Sequence, residues 1–204
     1  MLNAQAEFER REIEIEEYIS YLENLEVQTG FSVSLINTMK SSALLMMYNI
    51  VESTMTNLMQ DIFDHLRDEN IPFESLNDKM KILVLSYSKQ AAPGKLVEKM
   101  TQNAWSIVVA CFNRTELFSG NIDCKKIRET MKEIGVTAKS TYREDVLLKI
   151  KGERNDLAHG HKSFSDCGRE YAATQLREFH KKVMAVLRNV ITDFEKFLSL
   201  KAYA

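Results

Sequence analysis

The segment whose residue types best suit acid–base chemistry on a phosphate is Arg154-Asn155-Asp156-Leu157-Ala158-His159. An imidazole exchanges protons near neutral pH, and a planar guanidinium binds two oxygens of a phosphate at once. The chain has four histidines in 204 residues, and two of them, His159 and His161, follow Arg154 within seven positions. One arginine and one histidine at such a spacing occur easily by chance, so the meaning depends on the elements that hold them.

Apolar residues at helical spacing predict a helix over residues 141–158, with Gly160 placed as its C-terminal cap. On this helix Val146, Ile150 and Arg154 share one face, which puts Arg154 on a buried stripe. A buried arginine is costly unless it has an anionic partner. A purely structural role is the alternative, in which Arg154 pairs inside its own chain with one of three acids: Glu52, Glu144 or Asp156.

His159 lies five residues after Arg154, which corresponds to about 140° around an ideal helix. The two side chains therefore point apart within one chain, unless the helix ends between them. Asn155 and His159, four residues apart, share a face. Because Gly160 follows directly, we expect His159 in the last turn of the helix.

The composition predicts that long helices carry this segment. The chain contains 7 Gly and 2 Pro, too few for the many tight turns of a sandwich or barrel, and its 45% hydrophobic content is enough for a core. Ser75 and Asp123 are expected helix caps, and Trp105 an expected core anchor. The predicted architecture is all-α, with about six helices and an additional acidic N-terminal helix, over residues 4–26, 34–66, 77–88, 95–112, 123–134, 141–158 and 166–200.

A single domain over residues 1–204 is predicted, with 1–30 as an N-terminal helical extension and 31–204 as the core bundle. The apolar runs are far shorter than the roughly 18 residues of a membrane-spanning helix, and the charged start does not fit a secretory signal. Three widely spaced cysteines without a CxxC pair indicate reduced thiols. We therefore expect a cytoplasmic protein with no membrane partner.

Metal and cofactor sites are not predicted. The four histidines include no pair four residues apart, and no His/Cys cluster is present. No glycine-rich phosphate loop occurs either, which argues against nucleotide triphosphate hydrolysis.

The charge is distributed unevenly along the chain. Residues 1–80 carry 15 Asp/Glu and 5 Lys/Arg, whereas residues 81–204 carry 14 Asp/Glu and 22 Lys/Arg. This split fits either an acidic face with a basic groove for a polyanion, or halves that pair with each other. Candidate substrate-binding residues flank the histidines: Lys149, Lys151, Lys162 and Arg169. A second basic face, either a contact for a polyanion or a solvated surface, consists of Lys125, Lys126, Arg128 and Lys132.

The segment R-N-D-L-A-H resembles the Arg-x4–6-His signature of HEPN domains, the all-helical "higher eukaryotes and prokaryotes nucleotide-binding" domains. Asn after Arg and Ala before His are common choices in that signature. Residues 47–54, MYNIVEST, also resemble the leading core helix of prokaryotic HEPN proteins, in which the polar residue, here Glu52, faces the signature. The resemblance covers the chain from about residue 30 onward and implies that the first helix is a family-specific addition.

The resemblance implies a metal-independent endoribonuclease, acting as a homodimer in which two signatures meet, and used as a toxin or in phage defence. It assigns proton transfer to His159, phosphate binding to Arg154 and an orienting role to Asn155. Glu52 would be a helper that fixes Arg154 or polarises the hydroxyl. A cognate antitoxin or a second HEPN-type protein would be a further partner, and no cofactor is implied.

Three alternatives stay open. His161 satisfies the longer spacing and could be the catalytic histidine, a second one or a solvated loop residue. It also stands where some HEPN toxins carry a tyrosine that a partner enzyme modifies, so modification is not expected here. The chain could instead be a non-catalytic HEPN-like binding module, an adapter or a neutralising partner. A plain helical scaffold with Arg154 in an internal ion pair is the third alternative.

Overall fold

The computed structural model describes residues 2–88, 118, 120–138 and 144–204, apart from the side chains of Tyr87, Ser88 and Glu144. Within these ranges the structure is helical and contains no strand, which confirms the predicted all-α bundle. The helices are α1 (Asn3–Val27), α2 (Val33–Asp68), α3 (Asp78–Ser88), α4 (Cys124–Ile134), α5 (Glu144–Ala158), α6 (Phe164–Arg169) and α7 (Ala173–Ser199), with a 3-10 turn at Phe73–Ser75. The predicted helix over residues 95–112, with Trp105, lies outside the described residues.

The central element is α2, which packs against α1, α5, α6 and α7. A helix with neighbours on several sides must be apolar around much of its circumference. The buried residues of α2 accordingly recur every three or four positions and include Leu44, Met47, Val51, Leu58 and Ile62. This density of apolar positions explains why the sequence predicts α2 so clearly.

The acidic helix α1 packs against both α2 and α7. Arg177 of α7 pairs with Glu16 and Glu23, and Arg188 of α7 pairs with Glu12. Part of the acidic first half is thus neutralised by the basic second half. Of the two arrangements suggested by the uneven charge, this contact corresponds to the pairing of the two halves with each other. The buried face of α1 consists of Ala4, Phe8, Ile15, Ile19, Leu22 and Leu25.

The prediction of one last helix over residues 166–200 is wrong, because the chain turns between α6 and α7. Gly168 packs directly on the backbone carbonyl of Asn37, where a side chain would have no room. The N–H of Ala173 donates to Glu26 Oε2 at 2.8 Å, which caps the start of α7 with a carboxylate of α1. Both contacts join residues far apart in sequence, so helical periodicity could not predict the break between α6 and α7.

The start of α3 also differs from the prediction, whereas the start of α4 agrees with it. Asn77, and not Ser75, caps α3 by accepting the N–H of Met80 at 3.0 Å. Asp123 caps α4 as predicted and accepts the N–H of Lys126 at 2.9 Å. None of the helices in the described ranges combines the length and apolar character needed to cross a membrane.

Candidate active site

The end of α5 places the two histidines on a tight turn. The N–H of His161 donates to the Asp156 carbonyl at 2.8 Å, and the N–H of Gly160 donates to the Leu157 carbonyl at 3.3 Å. These two bonds define a Schellman motif, which requires a left-handed residue just after the helix. Gly160 is that residue, with a φ of 70°. His159 is the capping residue, so the predicted end of the helix is confirmed.

Arg154 lies half-buried against α2 and a turn that precedes α4. Its Cζ is 5.2 Å from the centroid of the Tyr48 ring, and its Nη1 donates to Asn155 Oδ1 at 3.1 Å. The guanidinium rests on Gly120 so closely that a Cβ at that position would lie 2.6 Å from Cζ. Gly120 and Arg154 are far apart in sequence, and no motif in the sequence pointed to this contact.

No carboxylate in the described ranges lies within ion-pairing distance, 4.0 Å, of Arg154. Two of the three acids that the sequence suggested as partners, Glu52 and Asp156, therefore do not pair with Arg154. The side chain of the third, Glu144, lies outside the described residues. Within the same ranges the guanidinium uses one donor for Asn155, and its other donors remain available for an anion.

Two side chains of α2 hold the turn on which Arg154 rests. Glu52 Oε1 accepts the N–H of Gly120 at 3.0 Å, and the Tyr48 hydroxyl accepts the N–H of Ile122 at 3.2 Å. Burial raises the pKa of Tyr48, so its hydroxyl stays neutral beneath the guanidinium. Glu52 thus reaches Arg154 through Gly120, and this placement favours a supporting role over direct contact with the arginine.

Both histidine side chains are exposed on the turn after α5. The ring centroids of His159 and His161 are 5.8 Å apart, and Nδ1 of His161 lies 3.7 Å from Asp156 Oδ1. No hydrogen bond or ion pair joins either ring to Arg154 in the described part of the chain. The structure therefore brings Asn155, Tyr48 and Gly120 to Arg154, whereas both histidine rings face solvent.

Two of the four proposed substrate-binding residues are half-buried and form ion pairs. Lys151 bonds to Asp123, the cap of α4. Lys162 pairs with Glu153 at 3.1 Å and Glu170 at 3.2 Å. These contacts reduce the positive charge that either lysine presents to a phosphate.

The other two proposed substrate-binding residues remain exposed. Nζ of Lys149 lies 4.9 Å from the Tyr171 ring centroid, within the range of a cation–π contact. Arg169 lies 3.3 Å from Asp166, one helical turn away on the short helix α6. Both cations remain open to solvent and could reach a polyanion beside the histidine turn.

Glu153, the residue before Arg154, holds the histidine turn after α5 in place through buried hydrogen bonds. Its carboxylate is buried and accepts hydrogen bonds from the Tyr171 hydroxyl at 2.7 Å, the Cys167 thiol at 3.3 Å and Lys162 at 3.1 Å. Burial acts to raise the pKa of Glu153, but these hydrogen bonds outweigh it and hold the pKa below its ordinary value. The network ties α5 to α6 and fixes the backbone that carries the histidines.

Comparison with known proteins identifies the family of this chain. A family model described as HEPN_MAE_28990-like HEPN matches residues 3–203, a range that includes α1 as well as the core helices. Comparison with curated proteins and with solved structures gives no match. Among the described residues, no group of three or more His, Cys, Asp or Glu side chains is placed to hold a metal ion. Because the match spans nearly the whole chain, the protein belongs to the HEPN_MAE_28990-like HEPN family.

Proposed function

We propose that this protein is a metal-independent endoribonuclease of the HEPN type that acts as a dimer, as a toxin or an antiviral-defence effector in the cytoplasm. The observation that carries this proposal is the setting of Arg154. Its guanidinium is half-buried, rests on Gly120 and Tyr48, and has no carboxylate partner in the described ranges. Such a group suits a phosphate diester, whose oxygens match the guanidinium fork.

The proposed reaction is attack of an RNA 2′-hydroxyl on the adjacent phosphorus. The new P–O2′ bond forms as the P–O5′ bond breaks, which leaves a 2′,3′-cyclic phosphate and a 5′-hydroxyl. His159 transfers the proton, and such a positioned acid or base typically contributes about 100- to 10,000-fold to the rate. Arg154 stabilises the negative charge that develops on the phosphate, and Asn155 orients the phosphate or the imidazole.

A second copy of the chain is part of this proposal, because Arg154 and His159 face different surroundings within one copy. Arg154 faces α2, whereas His159 is exposed on the turn after α5. A symmetric pair of chains can place the histidine of one copy beside the arginine of the other. The exposed position of the histidine turn supports this arrangement.

The choice between the two histidines depends on their surroundings. His161 lies 3.7 Å from a carboxylate oxygen of Asp156, whereas His159 has no carboxylate that close in the described ranges. The Asp156 carboxylate can hold the His161 ring in place, whereas the exposed His159 ring is open to a substrate. We assign the essential proton transfer to His159 and treat His161 as the second candidate.

The test is an RNA-cleavage assay with purified protein in the presence of excess EDTA. We expect cleavage by the wild type, loss of cleavage in Arg154→Ala and His159→Ala, and wild-type cleavage in the surface control Lys181→Ala. Circular dichroism and sedimentation should show that all variants keep their fold and oligomeric state. Absence of EDTA-tolerant cleavage, or its survival in Arg154→Ala, contradicts the proposal; survival in His159→Ala with loss in His161→Ala moves the proton transfer to His161.

A non-catalytic binding module, an adapter or a neutralising partner, is the second candidate. The local pairing of Lys151 and Lys162 favours it, because a nuclease that grips RNA needs unpaired cations near its site. Expression in a bacterial host separates the two. An active toxin should stall growth unless its cognate antitoxin is co-expressed, whereas a binding module should leave growth unchanged.

A further inference from the structure

A polar groove of about 410 Å³ lies between α1 and α2 and adjoins the candidate site. It is lined by Glu7 and Arg11 of α1 and by Asn49, Glu52, Ser53, Thr56 and Asn57 of α2. Its volume falls within the range of about 300–1,000 Å³ that is typical of small-molecule sites. Glu52 also bonds to Gly120, which contacts the Arg154 guanidinium. Glu52 therefore links the groove to the residue on which Arg154 rests.

Several of the lining groups already have partners. The hydroxyls of Ser53 and Thr56 donate to carbonyls of their own helix. Glu7 accepts hydrogen bonds from Arg10 and Arg11, and these bonds lower its pKa to about 2. Glu7 thus stays ionised and paired with these arginines, and it lines the groove without offering a free acceptor.

Two groups remain free to bind a ligand. The Asn49 side chain is exposed and forms no hydrogen bond with any described residue. The Glu52 carboxylate uses Oε1 for Gly120, and Oε2 has no hydrogen-bond partner within the described part of the chain. Residues three apart on a helix are neighbours, so the Asn49 amide and the Glu52 carboxylate lie side by side. Together they offer an N–H donor next to a charged acceptor.

We propose that this groove binds the guanine base of the RNA nucleotide next to the scissile phosphate. This inference rests on the proposed RNA-cleaving function. Guanine presents neighbouring N–H groups, at N1 and the N2 amino group, that a carboxylate accepts, and its O6 accepts from the Asn49 amide. The carboxylate repels phosphate, so the groove takes the base and leaves the phosphate to Arg154. Asn49 is the specificity-determining residue.

The first experiment maps cleavage sites on an RNA pool that contains all four bases in every context. The wild type should cut beside guanine about 5- to 150-fold more often than beside other bases, the discrimination expected of a good base contact. Asn49→Ala should lose most of this preference, because its cleavage beside guanine falls toward the frequency at other bases. The matched control is Asn189→Ala, an exposed amide on α7 that bonds to a carbonyl of its own helix.

The second experiment measures binding without catalysis. Short RNA analogues with 2′-O-methyl groups cannot undergo the cleavage, and they differ only in carrying guanine, inosine or uracil at one position. Guanine should shift the NMR signals of the Asn49 side-chain amide at the lowest ligand concentration. Inosine lacks the N2 amino group and should bind more weakly, and uracil should leave the signals unchanged.

The two experiments separate the groove from the nuclease proposal. Cleavage without base preference, preference for another base, or equal NMR response to guanine and uracil overturns the guanine site and leaves the nuclease proposal standing. A guanine-dependent shift in a protein that cleaves no RNA in EDTA supports the guanine site and removes the nuclease proposal.

Discussion

At the scale of single residues, the orientation of Arg154 depends on a glycine that is distant in sequence. Gly120 has a φ of 73°, and its missing side chain leaves the space that the guanidinium occupies. The backbone N–H of Gly120 is itself held by Glu52. A small change at Gly120 should therefore move the arginine without unfolding the helix that carries it.

We predict that Gly120→Ala lowers kcat/KM for RNA by about 100-fold, the loss expected when a catalytic group moves by about 1 Å. The new methyl group would occupy the place of the guanidinium, which is the mobile end of its side chain and must shift. Steady-state kinetics in EDTA measures the effect.

The matched control for this change is Gly30→Ala. Gly30 also has a positive φ, 98°, but open space where the methyl group would be. Both substitutions carry the backbone cost of about 1–2 kcal/mol for a left-handed residue, and only Gly120→Ala disturbs Arg154. If the two variants lose equal activity, the loss reflects backbone strain and the proposed role of Gly120 is wrong.

At the scale of helices, the contact between α1 and α7 contains a buried titratable group. Nδ1 of His180 lies 3.3 Å from Glu16 Oε2, yet neither ring nitrogen has a hydrogen-bond partner among the residues that the structure describes. Burial lowers the pKa of His180 from its ordinary value of 6.5, and it outweighs the opposite effects of Glu16 and Glu12; Arg177 and Arg188 lower it further. The folded protein therefore keeps this imidazole neutral.

We predict that the free energy of unfolding decreases as the pH falls below about 6.5. The unfolded chain binds a proton at His180 near its ordinary pKa of 6.5, whereas the folded chain binds it only at lower pH. Between the two pKa values, acid therefore favours the unfolded state, by at most about 1.4 kcal/mol per pH unit. Urea denaturation at several pH values between 7.5 and 5.5, at constant ionic strength, measures this slope.

The variant His180→Gln should show a flatter dependence on pH over the same interval, because glutamine does not titrate. Carboxylates such as Glu153 and Glu26, whose pKa values are lowered in the fold, contribute their own pH dependence at more acidic pH and are unchanged in the variant. An equal slope in wild type and variant would show that His180 does not control the stability of this contact.

At the scale of the whole molecule, the proposed site needs two chains, and mixing two inactive variants tests this. Arg154→Ala and His159→Ala should each be inactive alone. After the two are mixed and allowed to exchange subunits, half of the dimers are mixed, and each mixed dimer regains one of two sites. We therefore expect roughly a quarter of the wild-type activity.

The control mixes Arg154→Ala with the double variant Arg154→Ala/His159→Ala, which can restore no site. Native mass spectrometry confirms that mixed dimers form. Full exchange without recovered activity would show that Arg154 and His159 do not act across the interface.

The sequence by itself predicted those features that depend on neighbouring residues. Helical periodicity determined α1 and α2, the side chain of Asp123 determined the start of α4, and Gly160 determined the end of α5. Each follows from interactions within a few positions of the chain, so the local residue types are sufficient. The family resemblance was visible for the same reason, because its signature is one continuous segment at a helix end.

The tertiary structure decided the features that depend on contacts between distant residues. The break before α7 follows from the packing of Gly168 on Asn37. The position of the Arg154 guanidinium depends on Gly120, whose N–H donates to Glu52, 68 residues away in sequence. Such contacts form only when separate helices pack, and no local pattern encodes them. The sequence alone identified the arginine and the histidine and predicted that they point apart. Only the packed helices showed that Arg154 lies against the Tyr48 ring and Gly120.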